Sequence, residues 1–438
     1  RYRDEIETLS ATIDNLRRDA AQKDEVLLHF YKKEGDKRGG GGAAGGAAGG
    51  HRHAGGGGAG GLLYANATVS AQNYTVTVGA GGAKYTNTEV VSYEPISYSG
   101  ITRANQTSFG NAIIPAYNFD KAEVIVSFGA DFLGTWISPI KFHSDYSKNR
   151  VPKNGKMSKH FQFESLMSLT GSNADVRVPM KMSNVGQHLI ALYRELGGAT
   201  PHKGMEVAGN NIKNAAAELK AAGSKGLVVC GSNDEADQLL VNAINMMLGG
   251  YGTTIDTTNY YMGQSADEKS FASFLTKAKN GAYGAVITLG TNPVYSHLGA
   301  EDAIAKIPVR ISTSITMDET SSNATHIATD LHPLESWDIK QPYKGRFIFS
   351  QPTISPVFEG RQAASSLAAW SGADVSEKNE LSHAYNYAKQ VFASEVGGDF
   401  NKAIEMGIVE NTSSAKSTIA VVPLTEIAAL SSTLPPAV

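Results

Sequence analysis

The sequence predicts an α/β protein: parallel sheets with helices on both faces, in two lobes like those of a mononucleotide fold, preceded by an N-terminal helix and a Gly-rich linker. Three observations carry this expectation. From Leu62 onward, short apolar runs alternate with amphipathic stretches of helical period, the pattern of βαβ units. Several of the runs end in Gly followed by small or polar residues, as in VSFGADFLG, VVCGSNDEA and ITLGTNPVY. Ahead of them, residues 39–61 are nearly all Gly and Ala, a composition that cannot build a core and reads as a flexible linker.

Taken in order, residues 1–38 place Ile6, Leu9, Ile13 and Leu16 at a/d-like spacing, with Ala20 and Leu27 continuing the stripe and Lys23 interrupting it. This reads as an amphipathic or short coiled-coil helix. Strands are expected at Tyr74–Gly81, Thr88–Ile96, Ala122–Ala130, Gly226–Ser232, Gly284–Gly290, Val309–Thr316 and Gly345–Pro352, where β-branched and aromatic residues cluster between turn signals. Helices are expected at Asn184–Gly197, Asp234–Gly250 and Ser270–Gly281. The strand-and-helix region divides into a first lobe over 62–200, a second over 201–423, and a tail at 424–438.

Composition narrows the function classes. The 438 residues are 41% hydrophobic and 18% charged, enough for two or three domains with substantial cores. A formal charge of −3 without a sustained basic stripe excludes a nucleic-acid partner. No run approaches the roughly 18 apolar residues that would span a bilayer, and RYRDEIETL lacks the apolar segment of a signal peptide. The one cysteine, Cys230, excludes an intramolecular disulfide and a self-contained iron–sulfur cluster, which needs about four ligands. At the end of GLVVC it reads as a buried strand thiol.

The candidate chemistry lies at the strand ends. Gly129, Gly231 and Gly290 follow apolar strands, where glycine permits a tight turn and close approach of backbone to a phosphate. None completes G-x-G-x-x-G; GAGGAK (Gly79–Lys84) comes nearest, with Lys84 where glycine is wanted. They read as plain strand-to-helix corners, the alternative being a nucleotide-binding turn. Asp318, Glu319, His326, Asp330, His332 and Glu335 form the densest ionisable cluster. Its spacing matches no zinc motif, and loop and helix capping explains it. His51 and His53 in the linker are incidental, so no metal site is assigned. Trp136, Trp337 and Trp370 read as packing anchors, and Arg177 and Arg361 as partners for nearby carboxylates. Ser232 has no identifiable base, so no catalytic residue is assigned.

Four segments in combination suggest a family. FDKAEVIVSFGADFLGTWISP (Phe119–Pro139), GLVVCGSNDEADQLLVNAINMMLGGYG, TLGTNPVYS and DETSSNATHIATDLHPLESWD resemble the strand-and-turn units of molybdopterin-dependent oxidoreductases. With SYSGITRANQTSFGNAIIPAYNF, MSKHFQFESLMSLTGSNADVRVPMKMS and HPLESWDIKQPYKGRFIFSQPTISPVFEGRQ, the chain from about Val90 to Gln390 resembles the large iron–sulfur subunit of alternative complex III, a bacterial quinol:cytochrome c oxidoreductase.

The resemblance implies a pterin-free, non-catalytic scaffold whose relic cofactor turns are Gly129, Gly231, Gly290 and Asn292. It implies no cofactor in this chain, with 4Fe-4S and 3Fe-4S clusters in a ferredoxin-like part of the full subunit beyond Val438. The implied partners are a multihaem cytochrome c and integral-membrane quinol-binding subunits, at the periplasmic face of the bacterial inner membrane. Two other readings stay open: a molybdopterin-binding oxidoreductase domain using the same turns, and a two-lobed small-ligand-binding protein.

Overall fold

The computed structural model describes residues 61–67, 88–152, 155–199, 210–264, 266–370 and 380–410. The helix expected over 1–38, the linker up to residue 60, the strand expected at Tyr74–Gly81 and the tail 424–438 lie outside these residues. Among the described residues, 98–261 form one compact unit, and 61–97 with 262–410 form a second. The boundary expected near residue 200 falls inside the first of these. The reason is a strand pairing: Gly226–Cys230, after that point, lies parallel to Val124–Phe128, before it.

The chain enters the flanking unit with β1 (Gly61–Ala67) and β2 (Thr88–Tyr93), an antiparallel pair. It then builds the inserted unit, 98–261. Its elements are α1 (Ser99–Phe109), β3 (Ile114–Tyr117), β4 (Val124–Phe128), α2 (Pro139–Arg150), β5 (Lys159–Glu164), α3 (Leu169–Ser172) and β6 (Val176–Pro179). There follow α4 (Val185–Glu195), α5 (Asn211–Ala222), β7 (Gly226–Cys230), α6 (Glu235–Leu248) and β8 (Ile255–Tyr261). The sheet runs β6-β5-β4-β7 and every pairing is parallel. Residues alternate across it. Val124, Val126 and Phe128 face a core built with α4, α5 and α6, whereas Ile125, Leu227 and Val229 face Phe119, Phe132, Trp136 and Phe142. Both faces are therefore covered, as parallel sheets require.

The return through the flanking unit gives α7 (Glu268–Lys279), β9 (Tyr283–Leu289), α8 (Pro293–Ser296), α9 (Ala300–Ile304), β10 (Val309–Ser312), α10 (Glu319–Ser322) and β11 (His326–Ile327). Then come β12 (Asp338–Tyr343), β13 (Arg346–Ser350), α11 (Ala363–Trp370), α12 (Glu380–Glu395), α13 (Phe400–Met406) and β14 (Ile408–Glu410). The main sheet of this unit runs β11-β10-β9-β1-β2. Its β9, β10 and β11 are parallel, but β1 enters beside β9 antiparallel, so this sheet is mixed where a parallel one was expected. Strands β12, β13 and β14 form an antiparallel ladder under α12 and α13, with Phe347, Phe392 and Phe400 in its core.

Strand β7 ends the sheet of the inserted unit, and its outward backbone groups would be orphaned in the core. Asn245 of α6, 1% exposed, takes them: its Oδ1 accepts from the Val228 N–H at 3.0 Å and its Nδ2 donates to the Val228 carbonyl at 2.8 Å. The side-chain amide stands in for a further strand. The helix is held for this task by Asp234 at its N-terminus and by Gly249 at its C-terminus, where φ is +73°. Replacing Asn245→Ala strands two buried backbone groups and is expected to lower stability by about 2–4 kcal/mol in urea unfolding, with Asn245→Asp unable to restore the donor.

Candidate functional site

Two of the predicted turns are structural twins. After β4 the chain passes Gly129 (φ +65°) to Asp131, and after β9 it passes Gly290 (φ +57°) to Asn292. The left-handed φ is why glycine stands at both. In the first corner, Asp131 Oδ1 accepts from the Thr170 hydroxyl at 2.7 Å and from its N–H at 3.1 Å, while the same hydroxyl accepts from the Leu133 N–H at 2.9 Å. In the second, Asn292 Oδ1 accepts from the Thr320 hydroxyl at 2.7 Å and N–H at 3.2 Å, and that hydroxyl accepts from the Val294 N–H at 3.1 Å. The β4-β5-β6 and β9-β10-β11 segments thus repeat one design. The likeness seen between VSFGADFLG and ITLGTNPVY is real, whereas VVCGSNDEA belongs to β7, a different position.

Gly129 and Gly231 are brought together because β4 and β7 are neighbours, and the Gly231 N–H bonds the Phe128 carbonyl at 2.9 Å. Gly290 and Asn292 sit in the flanking unit. A phosphate would need free space and free N–H groups at such a corner. A Cβ on Gly231 would run into the backbone of Gly129, and one on Gly129 would meet Met182. The N-terminus of α6, which follows Gly231, is capped by Asp234 Oδ1, accepting from Ala236 N–H at 2.8 Å and Asp237 N–H at 3.2 Å. Glu235 and Asp237 add carboxyls to its first turn. The glycine faces of this corner are packed against Met182 and the chain itself, and the helix N-terminus behind them already carries a carboxylate cap. At Gly290 the space beside the Cα is open and Thr291 Oγ1 is buried without a partner. Asn292 Nδ2 there holds the Glu319 carboxylate at 2.6 Å, an anion beside the turn.

The other sequence candidates resolve into structural roles. Asp318 and Ser321 form a capping box on α10, and His332 and Glu335 form another on the following turn. Asp330 Oδ1 accepts from the N–H groups of Leu331 and Ala363. Among the described residues no group of three or more His, Cys, Asp or Glu is placed to hold a metal ion. Cys230 is buried and its thiol is pushed well up by that burial. Ser232 caps the Asp234 N–H at 3.2 Å. Arg177 donates to Glu164 at 2.6 Å, the carboxylate partner expected for it.

Two polar assemblies escaped the sequence reading. On one face of β5, His160, Gln162 and Glu164 are all buried. The Tyr146 hydroxyl lies 3.1 Å from His160 Nδ1, His160 Nε2 lies 3.2 Å from Gln162 Oε1, and Gln162 Nε2 donates 3.2 Å to Glu164 Oε2. Because the amide donates to the carboxylate, its oxygen must accept, which places the imidazole proton on Nε2. Burial works against the Glu164 carboxylate, but hydrogen bonds from Ser168 and Arg177 outweigh it and hold the group below its ordinary range. Burial keeps His160 neutral, its pKa lowered to about 4.

The second assembly is a cavity of about 100 Å³ in the flanking unit, lined in part by Tyr93, Glu94, Glu268, Phe271, Ser296 and His297. Glu94 is 8% exposed and has no hydrogen-bond partner among the described residues, and burial raises its pKa to about 7. His297 Nδ1 is buried and unpaired. No spacing in the sequence joins Glu94 to His297; only the pairing of β1 with β2 and β9 brings their segments together.

Gly231→Ala is expected to cost about 1–3 kcal/mol in urea unfolding, since the methyl group meets backbone rather than a mobile side chain. His160 supplies a pH test. Its folded pKa lies below the unfolded value, so its contribution is complete above about pH 6.5 and is lost as pH falls toward 4. Asp237, raised to about 6 by burial, has the opposite slope in this window, so the reading must be differential. The stability deficit of His160→Gln relative to the unaltered chain should shrink by about 2–3 kcal/mol between pH 7 and pH 4.5.

Comparison with known proteins agrees with the architecture. A glycine-rich domain family model matches residues 38–116, where the Gly-rich composition begins. No curated protein matches the sequence. Among solved structures, the chain is similar to acetylene hydratase from Pelobacter acetylenicus, with TM-score 0.52 and 10% identity over 73% of this chain. It spans 56% of the length of that protein. A weaker likeness, TM-score 0.41 and 14% identity, is to the formyltransferase/hydrolase complex from Methylorubrum extorquens in complex with methylofuran, over 64% of this chain and 82% of that one. At these identities the likeness concerns the fold alone. What is shared is an α/β architecture with parallel strands flanked by helices.

Proposed function

We propose that this chain is a pterin-free, non-catalytic scaffold of a membrane-associated quinol:cytochrome c oxidoreductase of the alternative complex III type. One observation carries the reading. At the corner of Gly129 and Gly231 the glycine faces are packed against Met182 and the Gly129 backbone, and the α6 N-terminus behind it is capped by Asp234. Supporting it, Ile140, Leu166 and Met167, which follow β4 and β5 at the same end of the sheet, are 87%, 81% and 70% exposed. Apolar side chains presented there suit contact with another protein better than contact with a charged ligand.

In this role the chain positions a multihaem cytochrome c and integral-membrane quinol-binding subunits at the periplasmic face of the bacterial inner membrane. The 4Fe-4S and 3Fe-4S clusters belong to a ferredoxin-like part of the full subunit. Among the described residues no helix is long and apolar enough to cross a membrane, so attachment falls to the partners.

The open space at Gly290 and the unpaired Thr291 hydroxyl favour a second reading, a molybdopterin-binding oxidoreductase domain. Metal and pterin analysis of the purified chain, expressed where molybdopterin is made, separates the two. The scaffold reading expects neither molybdenum nor tungsten nor a releasable pterin above trace level. Stoichiometric metal or pterin would overturn it and establish the second.

A further inference from the structure

We infer that the Glu94 cavity of the flanking unit is a binding site for a small primary ammonium cation. Its lining contains Glu94, Asp267 and Glu268 and neither Lys nor Arg. Two of the three carboxyls have structural work. Asp267 caps α7 by accepting from the Ser270 N–H at 3.0 Å, and Glu268 accepts from the Ser97 hydroxyl at 2.6 Å. Glu94 has none, although it is more than nine-tenths buried. Its carboxylate lines the cavity, where a ligand can reach it.

The remaining walls suit a cation bearing a short alkyl group. Tyr93 and Phe271 stack with centroids 4.1 Å apart, and His297 stands edge-on to Phe271 at 5.1 Å. Aromatic surfaces attract cations and accept methyl or methylene groups. The Tyr93 and Ser296 hydroxyls are 2.8 Å apart, each able to accept from an N–H while still bonded to the other. His297 Nδ1, buried and unpaired, is an acceptor at the wall in the tautomer that carries its proton on Nε2. The arrangement thus offers acceptors and carboxyl groups to a donor-rich cation, with no Lys or Arg in the lining to draw an anion. A volume of about 100 Å³ equals roughly three water molecules, which limits the ligand to a few heavy atoms.

Binding a cation beside Glu94 favours its ionised form, so binding near neutral pH must release protons into the buffer. Titration calorimetry of the full chain with ethylammonium chloride, against sodium chloride at matched ionic strength, tests the site. Propionate serves as the anionic counterpart of similar size. The expected result is saturable ethylammonium binding with a dissociation constant on the order of 1 mM, the scale set by three heavy atoms. Its heat should vary with the ionisation enthalpy of the buffer at pH 6.5, and affinity should fall at least about tenfold in Glu94→Gln, the loss of one ion pair. Propionate should give no saturable heat. Absence of saturation by ethylammonium, buffer-independent heats, unchanged affinity in Glu94→Gln, or binding of propionate instead would each overturn the assignment. The buffer series uses the unaltered chain, so the test survives if the variant folds poorly. Its outcome is independent of the metal and pterin content that tests the scaffold reading.

Discussion

The threonine hydroxyl that bridges two strand ends is the interaction on which each parallel segment depends. A strand leaving a parallel sheet turns sharply, and its first N–H groups lose their ladder partners. Thr170 solves this by donating to Asp131 while accepting from Leu133, and so ties the loop after β5 to the loop after β4. Thr320 does the same with Asn292 and Val294 in the flanking unit. The bridge is short, buried at its threonine, and made entirely of chain atoms. It fixes the corner without a ligand.

That self-sufficiency explains what the corners have become. In a dinucleotide site, glycine gives the backbone room to approach a phosphate and the helix N-terminus supplies the attraction. Here the room beside Gly231 is taken by the backbone of Gly129, and the α6 N-terminus is neutralised by Asp234. The same residue type serves close packing of two adjacent strands. Asp131 in one corner and Glu319 in the other add negative charge where a phosphate would need its absence.

Polar burial governs the inserted unit as much as its apolar core does. The His160–Gln162–Glu164 ladder runs up one face of β5 while Phe161 and Phe163 pack on the other. Its members are linked in turn, with Tyr146 at one end and Arg177 at the other. Such a chain tolerates only one register, since a one-residue slip would put charge into the aromatic core and phenylalanine into the ladder. Asn245 acts in the same way at the edge of β7, where an amide closes a sheet that has no further strand.

These features mark how far the sequence could be read. β4, β7 and β9 were legible because they are largely apolar runs ended by glycine, β10 because of its β-branched residues, and α4, α6 and α7 because their apolar residues recur at helical spacing. The burial of both faces of β5 was not, because KHFQFE alternates like a half-exposed strand and the partners of its polar face, Tyr146 and Arg177, lie elsewhere in the chain. Nothing local showed that β1 would join β9 antiparallel and carry β2 at the sheet edge, since strand direction depends on contacts hundreds of residues apart. The site glycines were found by their place after strands, but their meaning was not, because space and capping belong to the neighbours. Glu94 and His297 were invisible for the same reason. The sequence by itself determined the α/β class and the repeated strand-and-turn unit, both of which depend on local periodicity and glycine placement. Only the tertiary structure decided which corners are filled and which carboxyl is left without a partner, because burial and hydrogen-bond satisfaction are properties of residues brought together from distant parts of the chain.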